Sequence, residues 1–143
     1  MNALNREDEM RRTAELLILS TALLIPACHR WQQIRGTPVL PTSIGEVRAV
    51  ATPDDQTQVT LTVYNLPKPQ FVSSDATAYL VWVRPNEASG QPQRLGQLTV
   101  DGDAGNLQAV TPLHEFELVV TAQSPTDSSI QGDRVLTGQV KRE

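Results

Sequence analysis

The chain has few of the residues from which active sites and disulfide frameworks are made. Its 143 residues include one cysteine and two histidines, and only 4% of them are aromatic. A single cysteine excludes an internal disulfide, and acid–base catalysis needs titratable groups that converge. Neither His29 nor His114 lies in a zinc-protease or serine-hydrolase motif. We therefore expect no catalytic activity and no cofactor, with His114 as a solvated loop residue.

A concentration of positive charge is also missing. Lys and Arg number 12 against 16 Asp and Glu, a formal net charge of -4 at pH 7. Nucleic acid is not an expected partner, because phosphate backbones are bound by clustered Lys and Arg. The segment Asp101–Asn106 resembles a calcium loop, but Asn106 stands where an EF-hand needs Gly and Pro112 where it needs Glu. A hairpin turn accounts for this segment, so no metal is expected.

No apolar run suits a permanent membrane span. The run from Leu16 to Ala27 has 12 residues, whereas a spanning helix needs about 20. Its length is typical of the apolar part of a signal peptide. The run follows Arg11-Arg12 and ends at Cys28, the only cysteine. This order resembles the export signal of a bacterial lipoprotein, in which a peptidase cuts before a cysteine that carries diacylglycerol.

The resemblance implies that residues 1–27 are a signal peptide and that cleavage falls between Ala27 and Cys28. A small residue before the cysteine and an aliphatic residue, Ile25, three places before it fit this signal, whereas Pro26 between them is less usual. Acyl chains on Cys28 would then hold the protein on the extracytoplasmic side of a membrane.

Two alternatives stay open at this end of the chain. The residues ahead of the apolar run are acidic on balance, although a signal peptide should begin with positive charge. A translation start at Met10 in place of Met1 would restore the sign. The alternative to a signal is an ordinary buried helix over residues 14–27, with Cys28 as a core thiol.

Residues 28–45 are predicted to be the lipidated cysteine and a tether. Two prolines and two glycines interrupt regular structure there, and Trp31 with its neighbouring arginines suits a membrane interface. Equally, the stretch could be a solvated linker whose Trp31 packs on the domain. The interrupting residues are Gly36, Pro38, Pro41 and Gly45, and the arginines are Arg30 and Arg35.

From residue 46 the pattern is that of short strands separated by turns. Apolar residues alternate with polar ones over Val59–Tyr64, which predicts a strand with one buried face. Thr77–Arg84 is apolar on both faces, as a strand covered on two sides would be. Trp82 lies in its middle and is predicted to anchor the core, with ligand stacking as the alternative. Further strands are predicted over Glu46–Val50, Arg94–Val100, Asn106–Val110, Glu115–Gln123 and Arg134–Val140.

These segments make about seven strands in one domain over residues 46–143, preceded by the signal helix. The predicted fold is all-β, an antiparallel β-sandwich of immunoglobulin or fibronectin type III character, with a small barrel as the alternative.

A series of short motifs in this domain resembles the C-terminal, extracytoplasmic domain of anti-sigma-K factors. In chain order they are Tyr79-Leu80-Val81-Trp82-Val83, Leu95-Gly96-Gln97-Leu98, Asp101-Gly102, Glu117-Leu118-Val119-Val120-Thr121 and Val135-Leu136-Thr137-Gly138. The resemblance implies the β-sandwich and the extracytoplasmic location. It does not extend to sigma-factor inhibition, because the cytoplasmic domain and the membrane span of that family have no counterpart here, so no direct sigma-factor contact is expected.

We therefore predict a lipid-anchored, non-catalytic envelope protein whose β-sandwich serves protein interaction or signal regulation with an envelope partner. The alternative is a small-molecule or glycan-binding lipoprotein that uses Trp82 or the polar loop between Gln123 and Asp133. The candidate binding residues are Trp82, Ser124, Pro125 and Asp127.

Overall fold

The computed structural model describes residues 30–143, and most of them lie in β-strands. The predicted signal peptide and Cys28 lie outside the described residues. The elements are β1 (Gln32–Gly36), β2 (Ile44–Ala51), β3 (Thr57–Tyr64), α1 (Pro69–Val72), β4 (Ala78–Pro85), β5 (Gln93–Gln97), β6 (Thr99–Asp101), β7 (Ala104–Thr111), β8 (Glu115–Gln123) and β9 (Asp133–Lys141). Within residues 30–143, no helix has the length and apolar character needed to cross a membrane.

The nine strands form one antiparallel sheet in the order β5-β4-β8-β9-β1-β2-β3-β7-β6. Its two ends meet, because β5 and β6 are consecutive strands separated only by Leu98, and β5 pairs with β4 while β6 pairs with β7. A sheet that curls in this way leaves little unpaired edge. The all-β antiparallel prediction is confirmed, and the curled sheet is closer to the small barrel than to two unconnected layers.

The predicted strand patterns match the burial of the side chains. Val59, Leu61 and Val63 in β3 are fully buried, and the threonines between them are not. Six consecutive residues of β4, from Ala78 to Val83, are buried, which confirms that this strand is covered on both faces. One face of β4 joins the main core, and the other forms a second apolar cluster around Trp82.

The prediction of a tether over residues 28–45 is wrong for residues 32–36, which form β1, and for Ile44 and Gly45, which begin β2. Strand β1 pairs with β2 on one side and with β9 on the other, and its Ile34 is fully buried. Gly45, which was predicted to interrupt regular structure, instead leaves room for the side chain of Ile34, and Gly138 does the same. A Cβ atom on Gly45 would lie 2.4 Å from Ile34 Cγ1, and one on Gly138 would lie 2.4 Å from Ile34 Cγ2. The prolines, Pro38 and Pro41, belong to the turn after β1.

The antiparallel order gives the sheet two distinct ends. We call the end where residue 30 lies the entry end; it contains residues 30–31, 52–56, 86–92, 112–114 and 142–143. The opposite end, the far end, contains residues 37–43, 65–77, 102–103 and 124–132. Contacts within each end support this division: at the entry end Arg142 Nη1 lies 2.9 Å from Asp55 Oδ1, and at the far end the Leu66 N–H donates to the Asp103 carbonyl over 2.8 Å.

Two local features shape the far end. The hairpin predicted at Asp101-Gly102 is present, with Gly102 at φ +62°, a conformation that glycine adopts without strain. The segment after β3 was not predicted to contain a helix, but Pro69, whose fixed φ suits a first helical turn, begins the short α1. The Tyr79 hydroxyl donates to the Pro67 carbonyl over 2.7 Å, and burial raises the pKa of Tyr79 to about 12, so the donor stays protonated at neutral pH.

We expect Ile34→Ala to lower the free energy of unfolding by about 2–5 kcal/mol, since it leaves a cavity between two strands. The matched change Ile44→Ala, at an exposed position of β2, should cost no more than about 0.5 kcal/mol. Urea denaturation of the two variants measures both effects. Equal, small losses would mean that residues 32–36 are not part of the folded sheet.

Candidate functional site at the far end of the sheet

A chain of buried hydrogen bonds begins at Trp82. The indole Nε1–H donates to Thr121 Oγ1 over 2.9 Å, and that hydroxyl donates to Gln123 Oε1 over 2.7 Å. Trp82 and Thr121 meet on one face because β4 and β8 pair with Trp82 opposite Val119. Register shifts occur beside both residues, between Val81 and Trp82 and between Val120 and Thr121. Such irregularities redirect side chains locally.

Gln123 extends this chain into the loop over residues 124–132, which we call the far loop. Its Nε2 donates to Asp127 Oδ2 over 3.1 Å and to the Ser129 carbonyl over 2.9 Å. Its Oε1 accepts from the backbone N–H groups of Gln131 and Gly132 at 3.3 and 3.4 Å. One buried amide therefore fixes both the middle and the end of the far loop.

The predicted binding residues all belong to this assembly, but they have different roles. Trp82 is fully buried, which confirms it as a core anchor. Its ring packs in the second apolar cluster, so neither face of the ring is open to a ligand. Asp127 is held by Gln123. Ser124 Oγ lies 2.9 Å from Thr126 Oγ1, and the Pro125 carbonyl accepts from Arg94 Nη1 over 2.6 Å.

Sequence reasoning missed the two residues that connect the others, Thr121 and Gln123. The signal was present, because they are polar positions that follow directly on the apolar run Leu118–Val120 of β8. A polar group buried in such a strand is costly unless it is hydrogen-bonded, so Thr121 and Gln123 implied partners beyond the strand.

A polar hollow of about 310 Å³ lies between the far loop and the segment before β4. Hydroxyl, amide and carboxylate groups line it, from Ser73, Asp75, Gln123, Ser124, Asp127 and Gln131. These groups could bind the hydroxyls of a polar ligand. Within residues 30–143 no three His, Cys, Asp or Glu side chains come together as a metal site would require.

Exposed apolar side chains are concentrated at the same end. Of the seven large apolar residues that are exposed in the described part of the chain, five lie in or beside the far-end loops. Ile44 and Tyr64 are directly paired across β2 and β3, and Phe71 in α1 is 81% exposed. Val39 and Val100 complete the five exposed apolar residues of the far end. The remaining two of the seven, Trp31 and Val110, lie in the entry half.

The far end is acidic as well as apolar. Five aspartates lie in its loops or at the strand ends beside them, and they are offset only in part by Lys68, by Arg94, which donates to the Pro125 carbonyl, and by Arg134, which follows Asp133. The aspartates are Asp75, Asp101, Asp103, Asp127 and Asp133. An apolar surface with an acidic rim favours a partner that is apolar with a basic rim.

His114 lies at the entry end, away from this surface. Its Nε2 is 3.1 Å from the Asp55 carbonyl oxygen and 3.6 Å from Asp55 Oδ2, and Arg142 approaches the same aspartate. The ring is about half exposed. His114 therefore fastens two surface loops together, and its contacts are those of a structural residue in a loop.

No protein-family model matches this chain, and no curated protein or solved structure is significantly similar to it. The resemblance to the outer domain of anti-sigma-K factors therefore stays a prediction. A function for this chain therefore has to be inferred from the geometry of the far end.

We expect Thr121→Val to lower the free energy of unfolding by about 1–3 kcal/mol, because it leaves the buried Trp82 N–H without a partner and removes one of the donors to Gln123 Oε1. The same isosteric change at Thr99, which is exposed in β6, should have an effect within about 0.5 kcal/mol. Urea denaturation gives the stabilities. Hydrogen exchange should show faster exchange across residues 124–132 in Thr121→Val alone; unchanged protection there would contradict the coupling.

Proposed function

We propose that this protein is a lipid-anchored, non-catalytic envelope protein that presents the far end of its β-domain to another envelope protein. The acyl chains on Cys28 hold the entry end at the membrane on the extracytoplasmic side. The curled sheet, which we take to be a flattened sandwich whose two halves are joined along both sides, acts as a rigid support. The observation that carries this proposal is the concentration of exposed apolar residues at the end opposite the chain entry.

Strand length sets the height of this surface. The chain enters β1 at Gln32, and the longer strands have eight or nine residues, so the far end lies roughly 25–30 Å from the entry end at about 3.3 Å per residue. An anchored domain would therefore hold Phe71, Tyr64 and Ile44 away from the lipid. Exposed apolar residues that gather at one end of a domain favour a site of interaction there, and here the proposed partner is a protein that reaches into the space above the membrane.

The chemistry of the surface describes that partner. Aromatic residues such as Tyr64 and Phe71 are the side chains that most often anchor interfaces, and the acidic rim favours basic residues around the pocket that receives them. A regulatory role agrees with the resemblance to the outer domain of anti-sigma-K factors, with the envelope partner carrying any signal onward. Direct sigma-factor contact is not part of the proposal.

A small-molecule or glycan-binding role is the second candidate, and the polar hollow beside Asp75 and Asp127 favours it. Its lining of hydroxyls, amides and carboxylates suits a sugar. The burial of Trp82 counts against it, since the predicted stacking surface for a sugar ring is covered.

The anchor is tested by mass spectrometry of the native protein and of Cys28→Ser. In the native protein Cys28 should be the first residue and carry acyl chains. Cys28→Ser should stay uncut or release a soluble form, and its domain should unfold at the same urea concentration as the native one. Normal maturation and membrane retention of Cys28→Ser would overturn the anchor; loss of folding would show that Cys28 is a core residue.

The partner surface is tested by photo-crosslinking in intact cells. A photoreactive amino acid at position 71 should capture a defined envelope protein that is not captured from position 110, an exposed apolar site in the entry half. Tyr64→Glu should lower the yield from position 71 about tenfold or more, which corresponds to roughly 1.4 kcal/mol of binding free energy.

Val110→Glu is the matched control, because it places the same charge at an exposed apolar site outside the proposed surface, and it should leave the yield from position 71 unchanged. Equal capture from positions 71 and 110, or equal sensitivity to Tyr64→Glu and Val110→Glu, would contradict a far-end interface.

A further inference from the structure

We propose that the entry end of the domain is seated directly on the bilayer, with Trp31 at the level of the lipid headgroups and no flexible tether between lipid and sheet. This inference rests on the lipid anchor proposed above. It differs from that proposal because an anchored domain could also hang on a linker, with Trp31 in water or against the protein.

The chain is fastened to the sheet almost immediately after Cys28. The backbone N–H of Arg30 donates to the Glu143 carboxylate. Gln32 makes two hydrogen bonds to the backbone of Lys141: its Nε2 donates to the carbonyl over 2.7 Å, and its Oε1 accepts from the N–H over 3.0 Å. Residues from Arg30 onward therefore move with the domain.

Covalent geometry then limits the distance between the lipid and Trp31. Three peptide units separate Cys28 from Trp31, and consecutive Cα atoms are about 3.8 Å apart, so the two residues lie within about 11 Å of each other. A diacylated cysteine lies at the headgroup level of its leaflet. Trp31 therefore lies within reach of the interfacial zone, and the seating places it there.

The side chain of Trp31 suits that zone. It is 48% exposed and lines a hollow of about 520 Å³ with Arg30, Gln33 and Lys141. An indole has an apolar body and one N–H donor, which is why tryptophan is enriched at membrane–water interfaces. The hollow beside the ring is open space that a headgroup could enter.

Charge contributes little to this seating. Lys141 Nζ lies 3.4 Å from a Glu115 carboxylate oxygen, and Arg142 Nη1 lies 2.9 Å from Asp55 Oδ1. Glu143 adds a further negative charge beside Arg30. Anionic lipids attract basic residues near the membrane surface, but the neighbouring carboxylates offset that attraction here. The entry end is therefore expected to contact a bilayer whether its headgroups are neutral or anionic.

The experiment measures tryptophan emission from the full-length mature protein, purified with its acyl chains and reconstituted in phosphatidylcholine vesicles with or without brominated acyl chains. Trp31→Phe is the matched variant, because its remaining indole is Trp82, which is fully buried. The brominated lipids should quench at least half of the emission that separates wild type from Trp31→Phe, and that emission should shift to shorter wavelength. Emission from the variant should be unchanged.

The outcomes separate the two proposals. Equal quenching in neutral vesicles and in vesicles with about one third phosphatidylglycerol supports the seating. Acylated Cys28 without quenching of Trp31 overturns the seating and leaves the anchor intact, and quenching in anionic vesicles alone overturns the charge-independent seating. Mass spectrometry of the same sample that shows no acyl chain on Cys28 overturns the anchor, and the seating falls with it.

Discussion

The insertion of β1 between β2 and β9 is the constraint on which the rest of the structure depends. Without β1, the strand order divides into two four-stranded groups, β5-β4-β8-β9 and β2-β3-β7-β6. Ile34 packs between Gly45 and Gly138, and a Cβ atom on either glycine would approach it to 2.4 Å. Interiors are packed too tightly to absorb such an overlap without movement. One isoleucine and two glycines thus join the two halves along one side of the sheet.

The bent strand of β5 and β6 joins the halves along the other side. Leu98 at the bend is buried, and its N–H donates to the Tyr79 carbonyl over 3.0 Å. Gly96, just before the bend, lies against Leu107 of β7, where a Cβ atom would come within 2.8 Å of a leucine methyl group. At both places where the two halves of the sheet meet, a side chain therefore packs closely against the backbone, and in each case a glycine provides the space.

These two junctions explain how much of the fold could be predicted from the sequence. Strands with a long alternation or a fully apolar run, such as β3 and β4, were recognised because several residues repeat the same pattern. β1 has one buried residue, Ile34, and a single residue carries no period. Gly36 and Gly45 were predicted to interrupt regular structure, because the sequence does not reveal which strands lie beside each other. The two-sheet prediction follows from that omission, since the two halves look separate once β1 is taken away.

The candidate site was predictable to a similar extent. Composition placed the far loop in solvent, and Trp82 in an apolar strand was recognised as an anchor. The connection between them runs through Thr121 and Gln123, whose partners come from a β4–β8 register that no local pattern specifies. The exposed apolar surface could not be predicted either, because Ile44 and Tyr64 become neighbours only when β2 pairs with β3.

The position of β1 also determines how the protein could act. A flexible tether would let the domain sample many orientations, and the order of its two ends would then have no functional meaning. Because Arg30 and Gln32 are already bonded to the last residues of the chain, a lipid on Cys28 would orient the whole sheet. The far end would face away from the membrane at a fixed height. β1 contains both Ile34, which packs where the two halves of the sheet join, and Gln32, which would pass the orientation of the proposed anchor to the sheet. In the proposed function, stability and presentation would therefore both depend on this strand.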